Sequence, residues 1–188
     1  MPFGQRCMST DPSDDELMRR AGSGDRIAFA TLVGRHLPRV GAIAARMLAS
    51  AAEAEDVGQE AFLRCWQKAP GWEPSDGGGA ARFGTWLHRI VVNLCIDRRR
   101  RAAPLPLDEA PDQPDGAPHA LDALETKESA RRVRAAVGEL PDRQRAALVL
   151  CYYEGMSNGE AAEVLEMSVG AVESLLVRAR RNLRKTLS

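Results

Sequence analysis

Three sets of polar residues in this chain have types and spacings suited to chemistry or to contact with a partner. The first is Asp56, Gln59 and Glu60. Separations of three and four put them on one helix face, opposite the apolar stripe of Phe62 and Trp66. Paired carboxylates serve as an acid/base site or hold a metal. Neither use fits well, because no histidine is near and the face is flat. Two readings stay open: a solvated helix face, or an acidic docking surface for a basic partner.

The second set follows Thr85-Trp86-Leu87-His88-Arg89-Ile90. Asn93, Asp97 and Arg100 share a face at helical spacing, inside a run of arginines from Arg98 to Arg101. An Asn beside a basic run binds a base edge or simply lies on the surface. Trp86 falls on the apolar stripe and is expected in the core.

The third set has helix-turn-helix proportions: a short helix after Ser157, the turn Glu166-Met167-Ser168, and a longer basic helix to Thr186. Val172, Leu176, Ala179 and Leu183 repeat at helical spacing and should face inward. Ala171, Ser174, Leu175 and Arg178 should then face outward, behind a Ser168 N-cap, where a recognition helix meets base edges. Arg180, Arg181, Arg184 and Lys185 come later, where phosphate contact is expected. A helical hairpin with a basic surface has the same spacing.

The elements that must position these residues are helices. The chain has 188 residues, 44% hydrophobic and 28% charged, a balance that excludes wholesale disorder. β-Branched alternation is scarce, and Ala, Leu, Arg and Glu abound, so strands are not expected. Helices are expected over about 14–21, 26–50, 50–69, 83–101, 123–139, 142–153, 157–166 and 168–186. Ser50-Ala-Ala-Glu53 and Ser157-Asn-Gly-Glu160 have the form of capping boxes.

Charge is segregated along the chain. Lys and Arg number 26 against 26 Asp and Glu, yet residues 82–103 carry +5, residues 173–188 carry +4, and residues 104–129 between them carry −6. Two basic stretches around an acidic one suit two nucleic-acid-facing surfaces, and also plain solvated faces. The acidic stretch holds Pro104, Pro106, Pro111, Pro114 and Pro118, each of which removes a backbone donor. It reads as a flexible linker over 104–122, between domains over 13–103 and 123–188.

Other classes have little support. The N-terminal residues turn acidic where a signal peptide needs an apolar core, and no stretch is apolar enough to span a membrane. Cys7, Cys65, Cys95 and Cys151 make no CxxC pair, and His36, His88 and His119 do not join them, so neither a zinc site nor an enzyme centre is expected. Cys65, Cys95 and Cys151 lie in apolar patterns and read as buried small hydrophobes.

Taken together, Ala54-Glu55-Asp56-Val57-Gly58-Gln59-Glu60-Ala61-Phe62-Leu63-Arg64, the stretch from Thr85 through Asn93 to Asp97-Arg98, and Leu140-Pro141-Asp142-Arg143-Gln144-Arg145 through Tyr153-Glu154-Gly155-Met156-Ser157 resemble the extracytoplasmic-function (ECF) sigma factors of bacteria. The similarity runs over nearly the whole chain in the family's order. It implies an all-α fold of two helical domains, sigma region two and sigma region four, joined by the Pro-rich acidic linker. It implies a cytoplasmic, non-catalytic protein that takes no small-molecule substrate and no cofactor. Such a protein binds core RNA polymerase and directs it to promoter DNA.

In the family's pattern, Asp56, Gln59 and Glu60 would dock on the polymerase clamp. Asn93, Asp97, Arg98, Arg100 and Arg101, with the loop 72–82, would read and melt the minus-ten element. Ser168, Ala171, Ser174, Leu175, Arg178 and Arg181 would read the minus-thirty-five element. An anti-sigma factor is an implied partner, and the relative placement of the two domains would change between restrained and polymerase-bound states. Glu173 and Leu175 stand where many relatives carry Lys and Arg. An ordinary helix-turn-helix regulator with a helical sensor or dimerisation domain is the competing reading. It leaves the Asp56 face and the arginine run without a task.

Overall fold

A computed structural model describes residues 11–73, 82–102 and 121–188 of the chain. The loop 72–82 expected to read and melt the minus-ten element lies, over 74–81, outside the described residues, and so does the expected linker up to residue 120. Among the described residues every regular element is helical.

Helices α1 (Asp14–Gly22), α2 (Arg26–Met47), α3 (Ala51–Lys68) and α4 (Arg82–Ala102) form the amino-terminal half. Ser13, Asp25 and Ser50 start the first three, each accepting from a backbone N–H one turn ahead. Ser50 caps through Glu53 N alone, without the return bond of a capping box. Helix α2 stops at Met47, earlier than its periodicity suggests. Leu48 turns extended, with φ −110° and ψ 153°, and is buried.

The apolar stripes of α2, α3 and α4 meet in one core, with Leu32, Ile43, Val57, Ala61, Leu87 and Val91 each at most 1% exposed. At one end Trp72 packs edge to face on Phe83 and tilted against Trp86, and Trp72 Nε1 donates to Asp15 Oδ1 at 3.1 Å. A Cβ on Gly22 would come within 2.3 Å of Ala69 O, so only glycine lets α1 end against the short 3-10 turn Ala69–Gly71. Cys65 and Cys95 are buried, and burial pushes both thiols up to about 12. That is the behaviour of small hydrophobes. Cys151 is only half-buried.

The carboxy-terminal half comprises α5 (Leu121–Gly138), α6 (Asp142–Leu148), α7 (Asn158–Leu165) and α8 (Val169–Leu187). Helix α5 starts at Leu121, so the last two residues assigned to the linker are helical. The helix expected over 142–153 runs to its end but changes winding on the way. After Leu148 the chain makes one π turn, Val149–Tyr153, and Met156 N reaches back to Leu150 O at 3.0 Å. Tyr152 and Tyr153 consequently point outward, 54% and 45% exposed. Ser157 and Glu160 form a full capping box at the start of α7.

The apolar core continues from one half into the other. Val149, Leu150, Ala161, Val164, Val172 and Leu176 belong to the same buried cluster as the α2–α4 residues. A second, smaller cluster holds Val137, Leu140, Leu148 and Ala179.

Candidate nucleic-acid interface

The α3 face is as open as its spacing suggests. Asp56 and Gln59 are exposed and Glu60 is half-buried. Glu60 Oε1 accepts from Arg64 Nε at 2.8 Å, one turn along the same helix. Asp56 Oδ2 accepts from Arg98 Nη1 at 3.1 Å. Two residues read into separate surfaces therefore touch. Packing of α3 on α4 brings the first turns of one beside the last turns of the other, and Arg98 Nη1 also reaches Glu53 O at 3.4 Å.

On α4, Asn93, Asp97, Arg100 and Arg101 are exposed. Their neighbours Val92, Leu94 and Cys95 are buried and fix the helix rotation. The four-arginine run divides. Arg98 and Arg99 are half-buried and bonded to Asp56 and Asp142, while Arg100 and Arg101 remain on the open face.

Helix α8 begins at Ser168, whose Oγ accepts from Ala171 N at 3.2 Å. The turn before it is made by Glu166 in the left-handed region, φ 54° and ψ 50°, and closed by Met167 N to Ala162 O at 3.0 Å. Val172, Leu176 and Ala179 are buried, and Leu183 packs on the smaller cluster, as their period requires. Ser174, Arg178 and Arg181 are exposed, and Ala171 is half-buried. Ser174 Oγ donates to Gly170 O at 2.9 Å, so it faces solvent as an acceptor.

Leu175 is a correction. It was expected to face outward, but it is half-buried and packs on the core. It lies one turn from both Val172 and Ala179, which are buried. The outward face instead includes Glu173 and Val177, the latter 62% exposed. Asn158 Nδ2 at the head of α7 donates to Glu173 Oε1 at 3.5 Å. Arg180 lies 5.3 Å above the Tyr152 ring and bonds its hydroxyl.

Sequence reasoning missed two buried basic residues. Arg145 is 2% exposed, and its guanidinium donates to the carbonyls of Val137 (2.9 Å), Met47 (2.8 Å) and Leu140 (3.4 Å). Burial lowers its pKa to about 10, so it stays charged at neutral pH. His88 is 3% exposed with neither ring nitrogen partnered, and burial lowers its pKa to about 4. No signal in the sequence separates these from surface residues.

Among the described residues no group of His, Cys, Asp and Glu is placed to hold a metal. No described helix is long and apolar enough to cross a membrane.

Comparison with known proteins agrees with this layout. Residues 32–104 match the family described as Sigma-70 region 2, and residues 130–183 match Sigma-70, region 4. The ECF RNA polymerase sigma factor SigW of Bacillus subtilis is 33% identical over 181 residues, covering 90% of this chain and 94% of SigW. The ECF RNA polymerase sigma factor SigM of Mycobacterium tuberculosis (strain H37Rv) is 36% identical over 179 residues, covering 93% of this chain and 85% of SigM. Among solved structures, that of CnrH in complex with the cytosolic domain of CnrY matches with a TM-score of 0.67 and 30% identity, over 94% of this chain and 97% of that one. The chain belongs to the ECF RNA polymerase sigma factors and directs transcription initiation as an alternative sigma factor.

Proposed function

We propose that the three exposed sets divide the work of initiation. Asp56, Gln59 and Glu60 dock on core RNA polymerase. Asn93, Asp97, Arg98, Arg100 and Arg101 contact the minus-ten element. Ser168, Ala171, Ser174, Arg178 and Arg181 contact the minus-thirty-five element. The amino-terminal unit ends near residue 103 and the carboxy-terminal unit begins near 121. The chain works in the cytoplasm by binding alone, without a catalytic step or a cofactor.

The observation that carries this reading is the outward face of α8. Ser174, Arg178 and Arg181 stand free in a helix-turn-helix whose turn is closed by backbone bonds, and none of these side chains meets an acidic partner among the described residues. A long cation there can bond guanine O6 and N7 in the major groove. On α3 Asp56 is exposed and Glu60 half-buried, each beside one arginine of the same half, and charge complementarity between such carboxylates and a basic partner steers docking. An anti-sigma protein is a further partner. The solved structure of CnrH holds the cytosolic domain of CnrY, and CnrH matches this chain over nearly its whole length.

Transcription in vitro with core polymerase on a promoter library tests the reading and defines the elements recognised. Asp56→Arg and Glu60→Arg should each weaken binding to core polymerase in a fluorescence titration while the circular dichroism spectrum stays unchanged. Unaltered affinity in both variants would remove the docking assignment.

A further inference from the structure

The outward face of α8 carries one side chain that a phosphate-binding surface has no use for. Glu173 is the only acidic residue from Val169 to Leu187, a helix that also holds Arg178, Arg180, Arg181, Arg184 and Lys185. It is exposed. A carboxylate brought close to DNA is repelled by the phosphates unless a hydrogen-bond donor meets it.

The carboxylate is held in place. Among the described residues its one hydrogen-bond partner is Asn158, at the head of α7, whose Nδ2 donates to Oε1 at 3.5 Å. The Cys151 thiol donates to Asn158 Oδ1 at 3.7 Å, which turns the NH2 group of that amide toward Glu173. Glu173 Oε2 is left to accept from outside the protein.

The neighbours of Glu173 along the same ridge are apolar. Val169, one turn before it, is 45% exposed, and Val177, one turn after it, is 62% exposed. Both valines lie away from the buried stripe of Val172, Leu176 and Ala179. Valine methyl groups offer nothing to a phosphate.

Base edges supply what this ridge lacks. In the major groove cytosine shows the N4 amino group, a donor with no acceptor of the same base beside it. Adenine sets its N7 acceptor next to the N6 donor, guanine shows two acceptors, and thymine shows one acceptor and a methyl group. Cytosine therefore suits a carboxylate best, and the thymine methyl suits a valine. Four residues of helix rise about 6 Å, close to two base-pair steps of about 3.4 Å each.

We propose that Glu173 is a specificity residue that reads a cytosine of the minus-thirty-five element through its N4 amino group, and that Val177 reads the methyl group of a thymine within about two base pairs of it. This rests on the placement of α8 at that element and adds the bases that its side chains select.

The test is binding of polymerase holoenzyme, formed with the full-length chain, to a promoter library varied one base pair at a time. Wild type should lose about tenfold in affinity when the cytosine is replaced. Glu173→Ala should accept all four bases at that position and keep its preferences elsewhere. Glu173→Gln should move the preference from cytosine to adenine, because an amide pairs with N6 and N7 together. Replacing the neighbouring thymine by uracil, which lacks only the methyl group, should weaken wild type by about fourfold and leave Val177→Ala unaffected. The uracil arm in wild type needs no altered protein, so it stands whatever a substitution does to folding.

A cytosine preference that persists in Glu173→Ala overturns the assignment. So does equal tightening of every sequence in that variant, because the carboxylate would then only repel phosphate. Wild type indifferent to uracil at every thymine within two base pairs overturns the role of Val177. Failure of the underlying placement looks different. Arg178→Ala would then leave the minus-thirty-five preferences unchanged along with the Glu173 variants, whereas failure of this assignment alone leaves the Arg178→Ala effect in place.

Discussion

Among the described residues each half of the molecule buries one basic side chain, and the two solve the same problem in opposite ways. His88 in α4 is 3% exposed and has no hydrogen-bond partner, so it gives up its proton, with a pKa lowered to about 4. Arg145 in α6 is 2% exposed and cannot deprotonate near neutral pH. It is therefore surrounded by three carbonyls that accept from it. A buried titratable group escapes its desolvation cost by neutralising, whereas a permanent charge needs ligands. The exposed cations differ between halves as well. The α4 run spends Arg98 and Arg99 on ion pairs, while Arg178, Arg181 and Arg184 on α8 form none among the described residues.

Removing the ligated charge should have the largest effect. Arg145→Ala leaves three inward carbonyls short of a donor and opens a cavity where α2, α5 and α6 meet. The expected loss is about 3–5 kcal/mol in urea unfolding. Arg145→Lys should recover only part of it, because an ammonium lacks the planar fork. A loss below about 1 kcal/mol would mean that solvent replaces the guanidinium and that the contrast with His88 is false.

The unligated histidine should show itself through pH. Its folded pKa, about 4, lies below the ordinary value of 6.5, so the unfolded chain takes up the proton first. Stability is full above pH 6.5, falls as pH drops from 6.5 toward 4, and loses nothing more from this group below that. The total is about 3 kcal/mol, at 1.36 kcal/mol per pKa unit. Denaturation midpoints across that window should decline in wild type and flatten in His88→Leu. An equal decline in the variant would place the acid sensitivity elsewhere.

The exposed cations of α8 come next. Arg178→Ala should cost about 1–3 kcal/mol on the cognate minus-thirty-five element and relax preference at one position, as loss of a bidentate guanine contact does. Arg184→Ala, nearer the end of α8, should weaken all sequences alike and reduce the salt slope by about one. Polymerase-holoenzyme binding across single-base promoter variants separates the two. A reversed pattern would mean that α8 lies in the groove in another direction.

Much of this layout was legible in the sequence because it rests on local rules. Helix starts at Ser157 and Ser168, the break around Gly22 to Gly24, and the stripe of Val172, Leu176 and Ala179 all follow from caps and a period of 3.6. What was not legible depends on which helix lies beside which. Leu175 fits either face by period, and only the packing of the other helices on α8 decides it. The π turn over 149–153 has no signature in a pattern of apolar residues, yet it sets where Tyr152, Tyr153 and Glu154 point. Arg145 is one arginine among several until the backbone brings three carbonyls around it. Asp56 and Arg98 are 42 residues apart, and nothing along the chain announces their contact.

That contact gives the smallest effect and the sharpest test of how the amino-terminal half uses its charges. The side chains of Arg98 and Asp56 are 28% and 62% exposed, so water and salt screen the pair. A double-mutant cycle of Asp56→Ala and Arg98→Ala should give a coupling of about 0.2–1 kcal/mol in folding stability. The pair would then serve less to hold α3 on α4 than to keep a carboxylate poised on an open face. Core-polymerase affinity should respond quite differently. Asp56→Ala should weaken it with Arg98 present or absent, because the carboxylate itself meets the partner. A stability coupling above about 2 kcal/mol would reverse this view. It would make the pair a structural tie of the amino-terminal half, comparable to Arg145 in the other, and its role in docking would be indirect.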